Sequence, residues 1–596
     1  MKLSLAAILC VLSVSVFSQE WETYYEASDY LRTPGYEASV DFLNRLDMAS
    51  SIAAVRSIGT SPQGRDIPMM IIDRDGLTDP KSIRAKGRLI VLIQACIHPG
   101  EPDGKDAMFV LLRDMLINNS NKNLLENTSI LFIPIFNTDG HERFGPYNRI
   151  NQNGPAEMGW RTNALNLNLN RDFLKADSPE MQQWLKMYNS WLPDFFIDTH
   201  TTDGADYQYA LTYGIEASGT MDSGLTRWLN NIYEPRVSSK MKESGYPIFP
   251  YVQFRKWHDP RSGLRNGAAT PMYSQGYAAY QNRPGLLIET HMLKDYKTRV
   301  DATEKMILHT LAIVNHQAST LKTLINMADI STAAQGFRSQ KYPVLWKTSE
   351  TDSTMIPFEG FDYDVVKSDL TGGDWFIYDN KSPVSMKLPY FSKIIPAVEV
   401  MLPQAYIIPA EWSEIANRLR LHGVQVNRLT EPIEIKVKTY KFRDFSFKLT
   451  PTEGRTMVNT SYDEIDETRL FYKGSFVVPM DQRTAKIIAA ALEPASQGSF
   501  LEWGFFNQIF EQKEYSESYV METMARKMLT ENPDLKEEFE KKMQTEEGFR
   551  QSPQKILNWF YSKTPYWDQR MGIYPVGKIY ESTTISTLKN IALPVD

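Results

Sequence analysis

Cysteine is nearly absent from this chain of 596 residues: there are two, Cys10 and Cys96. A disulfide framework is therefore excluded. An excess of positive charge is also missing. Lys and Arg number 65 against 72 Asp and Glu, a net charge of -7, so nucleic acid is not expected as a partner. Beyond the first residues the apolar runs are short, such as Ile130 to Phe136, and no transmembrane anchor is expected. There is no internal repeat and no low-complexity tract. Only His422 lies beyond His316, so chemistry that needs imidazole belongs in the first half.

What is present describes a large globular chain. Hydrophobic residues make up 42%, enough for an extensive core. At roughly 100–200 residues per domain, the length predicts three to four structural units. The N-terminus differs from the rest. Lys2 is followed by an apolar run from Leu3 to Phe17, then Ser18 and Gln19. The run is too short for a membrane span, and Val16 and Ser18 suit small-residue cleavage. Residues 1–18 read as a signal peptide cut after Ser18, which predicts a secreted or periplasmic protein. A lipoprotein anchor at Cys10 competes poorly, because Leu9 before it is too large.

From about residue 85 to 320 the pattern alternates strand and helix. Arg88 to Ile97, Ile130 to Ile135, Phe195 to His200 and Gly285 to Met292 are β-branched or apolar runs of strands buried on both faces. Between them, Met108, Phe109, Leu111, Leu112, Met115 and Leu116 take helical spacing. Ser178-Pro179 opens another helix with an N-cap and a first-position proline. The alternation predicts an α/β fold with a mixed, mostly parallel sheet covered by helices. Asn137 to Asn170 is a long polar stretch, of the kind that is functional in compact domains. The expected organisation is a catalytic domain at 19–328, a linker at 329–342, a β-rich region at 343–495 and a helical region at 496–596.

His98 and Glu101 stand three apart, just past a buried strand, and imidazole with carboxylate suits zinc. Spacing alone is weak. With 8 histidines and 72 acids in 596 residues, about one H-x-x-[DE] arises by chance, and two occur, the other at His200 and Asp203. Placement separates them from noise. His200 closes a second buried strand and Glu289 lies near the end of a third. Ligands bind at the carboxyl ends of strands in open α/β sheets. His98, Glu101 and His200 would then hold one zinc with its fourth position open.

These residues resemble the M14 zinc carboxypeptidases, the carboxypeptidase A-like class, and carboxypeptidase A is itself a known His₂Glu zinc enzyme. The resemblance begins with Gly59-Thr60-Ser61-Pro62-Gln63-Gly64-Arg65. It continues through His98 to Glu101, Asn137 to Gly140 and Leu169 to Asp172, and ends with His200 and with Glu289 in LLIETH. Six motifs in one order, over residues 22–325, are far more specific than any one. The resemblance implies a zinc-dependent metallopeptidase that hydrolyses C-terminal peptide bonds through a zinc-activated water. Its ligands would be His98, Glu101 and His200, and its general base Glu289. Asn170 and Arg171 would grip the free C-terminal carboxylate of a peptide. Arg161 would steady the oxyanion, although Arg149 lies in the same loop.

Three departures accompany the match. Asn168 stands where the family has an aspartate behind a zinc histidine, and Asp198, two before His200, would compensate. The substrate-capping tyrosine is Tyr273, Tyr277 or Tyr280. Asp172 follows Arg171 where many members have asparagine. Bland readings stand beside these: Arg171 as a salt-bridge partner of Asp172 or Asp177, His291 as a packing residue, Cys96 as a small buried hydrophobe. The alternatives to a carboxypeptidase are an amidase or endopeptidase on the same scaffold, acting on acyl-amino acids or cell-wall peptides, and a non-catalytic zinc- or peptide-binding module.

Overall fold

The structure, a computed structural model, describes residues 21–595. The expected signal peptide lies outside the described residues.

The first half is built on an eight-stranded sheet. Its strands are β1 (Ala53–Thr60), β2 (Asp66–Ile72), β3 (Leu89–Gln94), β4 (Thr128–Ile133), β5 (Phe195–Thr202), β6 (Leu211–Ile215), β7 (Ile248–Pro250) and β10 (Gly285–His291), in the order β1-β2-β4-β3-β5-β10-β6-β7. The centre, β4-β3-β5-β10, is parallel. β1-β2, β2-β4 and β10-β6 are antiparallel. The sheet is therefore mixed, with a parallel centre, as the strand-helix alternation predicts. The central strands are buried along their whole length. On β3, Leu89, Val91 and Ile93 join one core, while Ile90 and Leu92 join the other. The alternation is the two-residue period of a strand covered on both sides.

Helices Asp103–Leu116 and Tyr296–His316 cover one face, and Pro179–Trp191 and Ser274–Tyr280 the other. Gly104 sets how closely the first of these approaches. A Cβ there would lie 2.0 Å from Thr199 Oγ1, so only glycine lets the helix seat against β5.

Between β7 and β10 the hairpin β8 (Gln253–Lys256) and β9 (Asp259–Arg265) leaves the main sheet. It joins β12 (Thr354–Lys367) and β13 (Asp374–Phe391) in a four-stranded sheet, β13 lying parallel to β9. β11 (Lys341–Thr348) pairs with β14 (Ile394–Met401). A seven-stranded sheet follows: β15 (Ala405–Ile408), β16 (Asn427–Leu429), β17 (Ile433–Phe447), β18 (Val458–Phe471), β19 (Phe476–Pro479), β20 (Gly577–Ile579) and β21 (Ala592–Pro594).

Some expectations need correction. Residues 329–342 are not a polar linker. The helix Ala318–Ala333 runs through them, followed by the turn Gln335–Arg338 and the start of β11. Arg338 is buried and donates to Met480 O at 3.0 Å, so the segment packs rather than spans. The strand from Arg88 ends at Gln94, not Ile97, because Cys96 adopts a left-handed φ of 55°. The last hundred residues are helical over Ser518–Glu531, Pro533–Thr545 and Pro553–Ser562, yet they also supply β20 and β21 to the seven-stranded sheet. On the first of those helices the buried residues are Met521 and Ala525, while Val520 is exposed. One core cluster runs from Trp184, Tyr188 and Tyr277 into Ile415, Leu419 and Ile487. The two halves share it. Among the described residues, no helix is long and apolar enough to cross a membrane.

Candidate metal centre and active site

Three adjacent parallel strands end at one place. His98 follows β3, His200 lies in β5, and Glu289 lies in β10. In parallel register Glu289 is paired with His200, so both side chains leave the sheet on the same face. The left-handed turn at Cys96, itself fully buried, redirects the chain so that His98 and Glu101 reach back over the strand ends. Strain of this kind in a non-glycine residue is common beside functional sites.

His98, Glu101 and His200 form a buried group whose ligand atoms all lie within 4.8 Å of one another. Each imidazole is held from behind. Asn168 Oδ1 accepts from His98 Nε2 at 2.9 Å, and also from Asn170 N at 3.1 Å. Two donors on one oxygen fix which way the amide points. Asp198 Oδ2 accepts from His200 Nε2 at 2.8 Å. Both Nδ1 atoms therefore turn toward Glu101, at 3.1 Å from His98 and 3.0 Å from His200.

His98 Nδ1 is buried and has no hydrogen-bond partner among the described residues. With its proton on Nε2, that nitrogen presents a lone pair to a carboxylate oxygen, an arrangement that a cation relieves. The residues fit a divalent metal of the zinc type. Burial pushes His98 down to about 4, which keeps it neutral and able to ligate. Burial alone would lower His200 too, but Asp198 and then Glu101 hold it well above its usual value. Glu101 is held well below the carboxylate range: its burial is outweighed by Arg149 and the two histidines.

Glu289 is buried, and its Oε2 has no hydrogen-bond partner among the described residues. Burial raises its carboxyl to about 8, helped by Glu101 and Asp198 and opposed by His200 and Arg161. It stands beside the triad without joining it.

A cleft of about 700 Å³ opens over these groups and is also lined by Arg161, Asn170, Arg171 and Tyr273. The structure separates residues that the sequence left level. The side chain of Arg149 is only 9% exposed, its guanidinium donating to Glu101 and to Thr201 Oγ1 at 3.1 Å, whereas Arg161, whose Nη1 lies 3.4 Å from Glu101, faces the cleft with 40% of its side chain exposed. Asn137 Nδ2 donates to Arg161 O at 3.4 Å and Gly140 O accepts from Trp160 N at 2.7 Å. The Asn137–Gly140 motif thus seats the loop that carries Arg161. Asp139 in turn accepts from Ser61 Oγ at 2.7 Å and from Arg65 at 2.9 Å, so the first motif braces the third.

Tyr277 and Tyr280 are core residues. Tyr273 lines the cleft, with Arg171 stacked 4.8 Å over its ring. Asp172 does not pair with Arg171. It is fully buried and accepts from Ser178 Oγ at 2.6 Å, Ser178 N at 2.8 Å and Lys175. Asp177 pairs with Arg455, Arg418 and Lys175. Among the described residues no carboxylate pairs with Arg171, and its guanidinium faces the cleft. Asp203 lines the cleft outside the triad. His291 is buried and its Nε2 lies 2.9 Å from Ala205 O, a packing role.

Sequence reasoning missed the outer walls: Tyr251, the Arg265–Thr270 stretch, Trp346–Thr348 and Gln497. The last four come from the second half. They carry no local signal, since only long-range packing brings them to the cleft.

Residues 40–203 match the family model described as zinc carboxypeptidase. The match ends before the strand that carries Glu289. Among curated proteins, carboxypeptidase 2 of Trichophyton rubrum is 23% identical over 498 residues, covering 78% of this chain and 83% of its own. Carboxypeptidase 2 of Trichophyton equinum is 22% identical over 501 residues, with 78% and 83% covered. Among solved structures, carboxypeptidase A of Helicoverpa armigera aligns at TM-score 0.38 and 14% identity over 49% of this chain and 75% of its own. A metallo-carboxypeptidase of Pseudomonas aeruginosa aligns at 0.35 and 19%, over 48% and 69%. The chain is a metallopeptidase similar, over residues 40–203, to the zinc carboxypeptidases.

Proposed function

We propose that the protein is an exported metallocarboxypeptidase that binds one zinc ion and removes C-terminal residues from peptides. The observation that carries this reading is the meeting, in one cleft, of the His98–Glu101–His200 triad, a buried carboxyl at Glu289 and an arginine, Arg171, that no carboxylate among the described residues neutralises. Export rests on the apolar run from Leu3 to Phe17 that follows Lys2.

His98, Glu101 and His200 would hold the zinc, whose chemistry is Lewis acidity toward water and the scissile carbonyl. The protein's own groups divide the remaining work. Arg171 offers a planar pair of N–H donors to the terminal carboxylate, with Asn170 beside it. Tyr273, stacked on that guanidinium, limits its motion and closes over the bound residue. Glu289 takes the proton from the attacking water and returns it to the leaving amine. Arg161 faces the negative charge that grows on the carbonyl oxygen. Asn168 and Asp198 keep both imidazole Nδ1 atoms aimed inward.

A mixed peptide pool digested with and without chelator, and read by mass spectrometry, tests the reading. Stepwise loss of single C-terminal residues that stops with chelator supports it. Internal cuts, or cleavage of acyl-amino acids alone, would replace it with the endopeptidase or amidase. Absence of zinc in the pure protein together with absence of turnover would leave a binding module.

A further inference from the structure

The segment Asn168–Asp177 carries the amide behind His98 and both groups of the carboxylate grip, yet has little regular structure. It contains one 3-10 turn, Leu169–Arg171, and then runs irregularly to the Ser178 cap. Asp172 ties it locally to Lys175 and Ser178. His98 and Gln182 hold it from the first half, and further anchors come from the second half of the chain. Glu453 Oε2 accepts from Asn168 N at 2.9 Å. Arg455 donates to both oxygens of Asp177, at 2.6 and 2.7 Å. Arg418 donates to Ala176 O at 2.8 Å, and His422 Nε2 lies 2.9 Å from Leu174 O.

Glu453 and Arg455 share one tight turn between β17 and β18. Thr452 N donates to Arg455 O at 2.8 Å, and Arg455 N to Thr452 O at 3.0 Å. The two residues between have left-handed φ values, 49° at Glu453 and 75° at Gly454. Such turns favour glycine, asparagine or aspartate at both places. A glutamate there accepts backbone strain, and its bond to Asn168 offsets that cost. Glu453 also lines a cavity of about 220 Å³ that shares Arg171 and Gln497 with the main cleft. Arg171 thus stands between two open spaces, and its place depends on how its backbone is held.

We propose that the Thr452–Arg455 turn is a positioning device of the substrate site: Glu453 fixes Asn168, and through it sets the Asn170–Arg171 grip for a free C-terminal carboxylate. The proposal rests on the role given above to Asn170 and Arg171. The second half of the chain then tunes substrate binding without touching the substrate at this turn.

The test uses the full-length, zinc-loaded protein carrying Glu289→Gln, so that bound peptide is not cleaved. Calorimetry compares a peptide with a free C-terminus and the same peptide amidated. With Glu453 intact, the free acid should bind more tightly. Adding Glu453→Gly removes the acceptor and relieves the turn. Free-acid affinity should then fall by roughly tenfold, the worth of one charge-assisted hydrogen bond. Amide affinity should stay level and the melting temperature should not drop. Glu453→Gln keeps an acceptor oxygen and should restore the preference. If Glu453→Gly leaves the preference intact, the positioning device is refuted while the grip stands. If free acid and amide bind alike with Glu453 in place, the Asn170–Arg171 grip itself is wrong, and the device falls with it.

Discussion

Glu289 on β10 is the register partner of His200 on β5, so the carboxyl beside the triad is placed by the sheet itself. A strand residue cannot drift as a loop residue can. Glu289→Gln keeps the shape and removes the proton acceptor. With Glu289 as base, kcat should fall by roughly 10²–10⁴ while zinc content, read by atomic absorption, stays at the wild-type level. A kcat within a few-fold of wild type would remove Glu289 from the reaction.

Arg171→Ala should separate substrate grip from chemistry. Hydrolysis of free-acid peptides should suffer far more than hydrolysis of the same peptides amidated, since only the former offer a carboxylate to the guanidinium. Equal losses on both would place the grip elsewhere and favour an amidase or endopeptidase.

The amide behind His98 gives a graded test of the metal centre. His98→Ala should abolish stoichiometric zinc. Asn168→Leu should leave the ligand but lose its support, weakening zinc by about 10–100-fold in a competition titration. Unchanged affinity would mean that Asn168 serves only the Asn170 backbone. Asn168→Asp should bind zinc at least as tightly as wild type.

Glu216, just past β6, bears on the cleft wall. Its oxygens accept from Ser218 N at 3.0 Å and from Ala269 N, and Ala269 lines the cleft. Burial raises its carboxyl from 4.5 to about 8, against those two backbone bonds. The folded protein keeps a proton that the unfolded chain releases. The stability this supplies is full below about 4.5 and is lost as the pH rises through about 8. Glu216→Gln should therefore flatten the fall in melting temperature across that window, whatever its offset. An identical slope in the variant would show that Glu216 does not titrate there.

N-terminal sequencing of protein recovered outside the native host cell should begin at or near Gln19. An intact Met1 on that material would contradict processing.

Much of the first half was legible because its signals are local. The apolar runs of β3, β4, β5 and β10 and the positions of His98, His200 and Glu289 at their ends needed no knowledge of packing. The tyrosine beside Arg171 was not legible: Tyr273, Tyr277 and Tyr280 sit within one short stretch, and only the seating of the helix Ser274–Tyr280 on the sheet sends two of them inward. Arg149 and Arg161 were equally ambiguous until the bend at Gly100 covered one and left the other open. There a Cβ would lie 2.8 Å from Arg149 Cγ. The role of Glu453 is further from local reading, since the residue it holds lies 285 positions earlier. The expected linker failed for a related reason: its polar composition concealed Phe337 and Arg338, which are anchored by a distant core.

The order of strands in the seven-stranded sheet has a consequence in time rather than in space. β20, which follows β15 to β19 in sequence, lies between β15 and β17. Without Gly577–Ile579, each of those two strands would keep an unpaired edge. The sheet that carries the Glu453 turn is therefore completed only by residues made well after the turn itself. A chain released early keeps every motif of the first half yet lacks the strand that locks its second half.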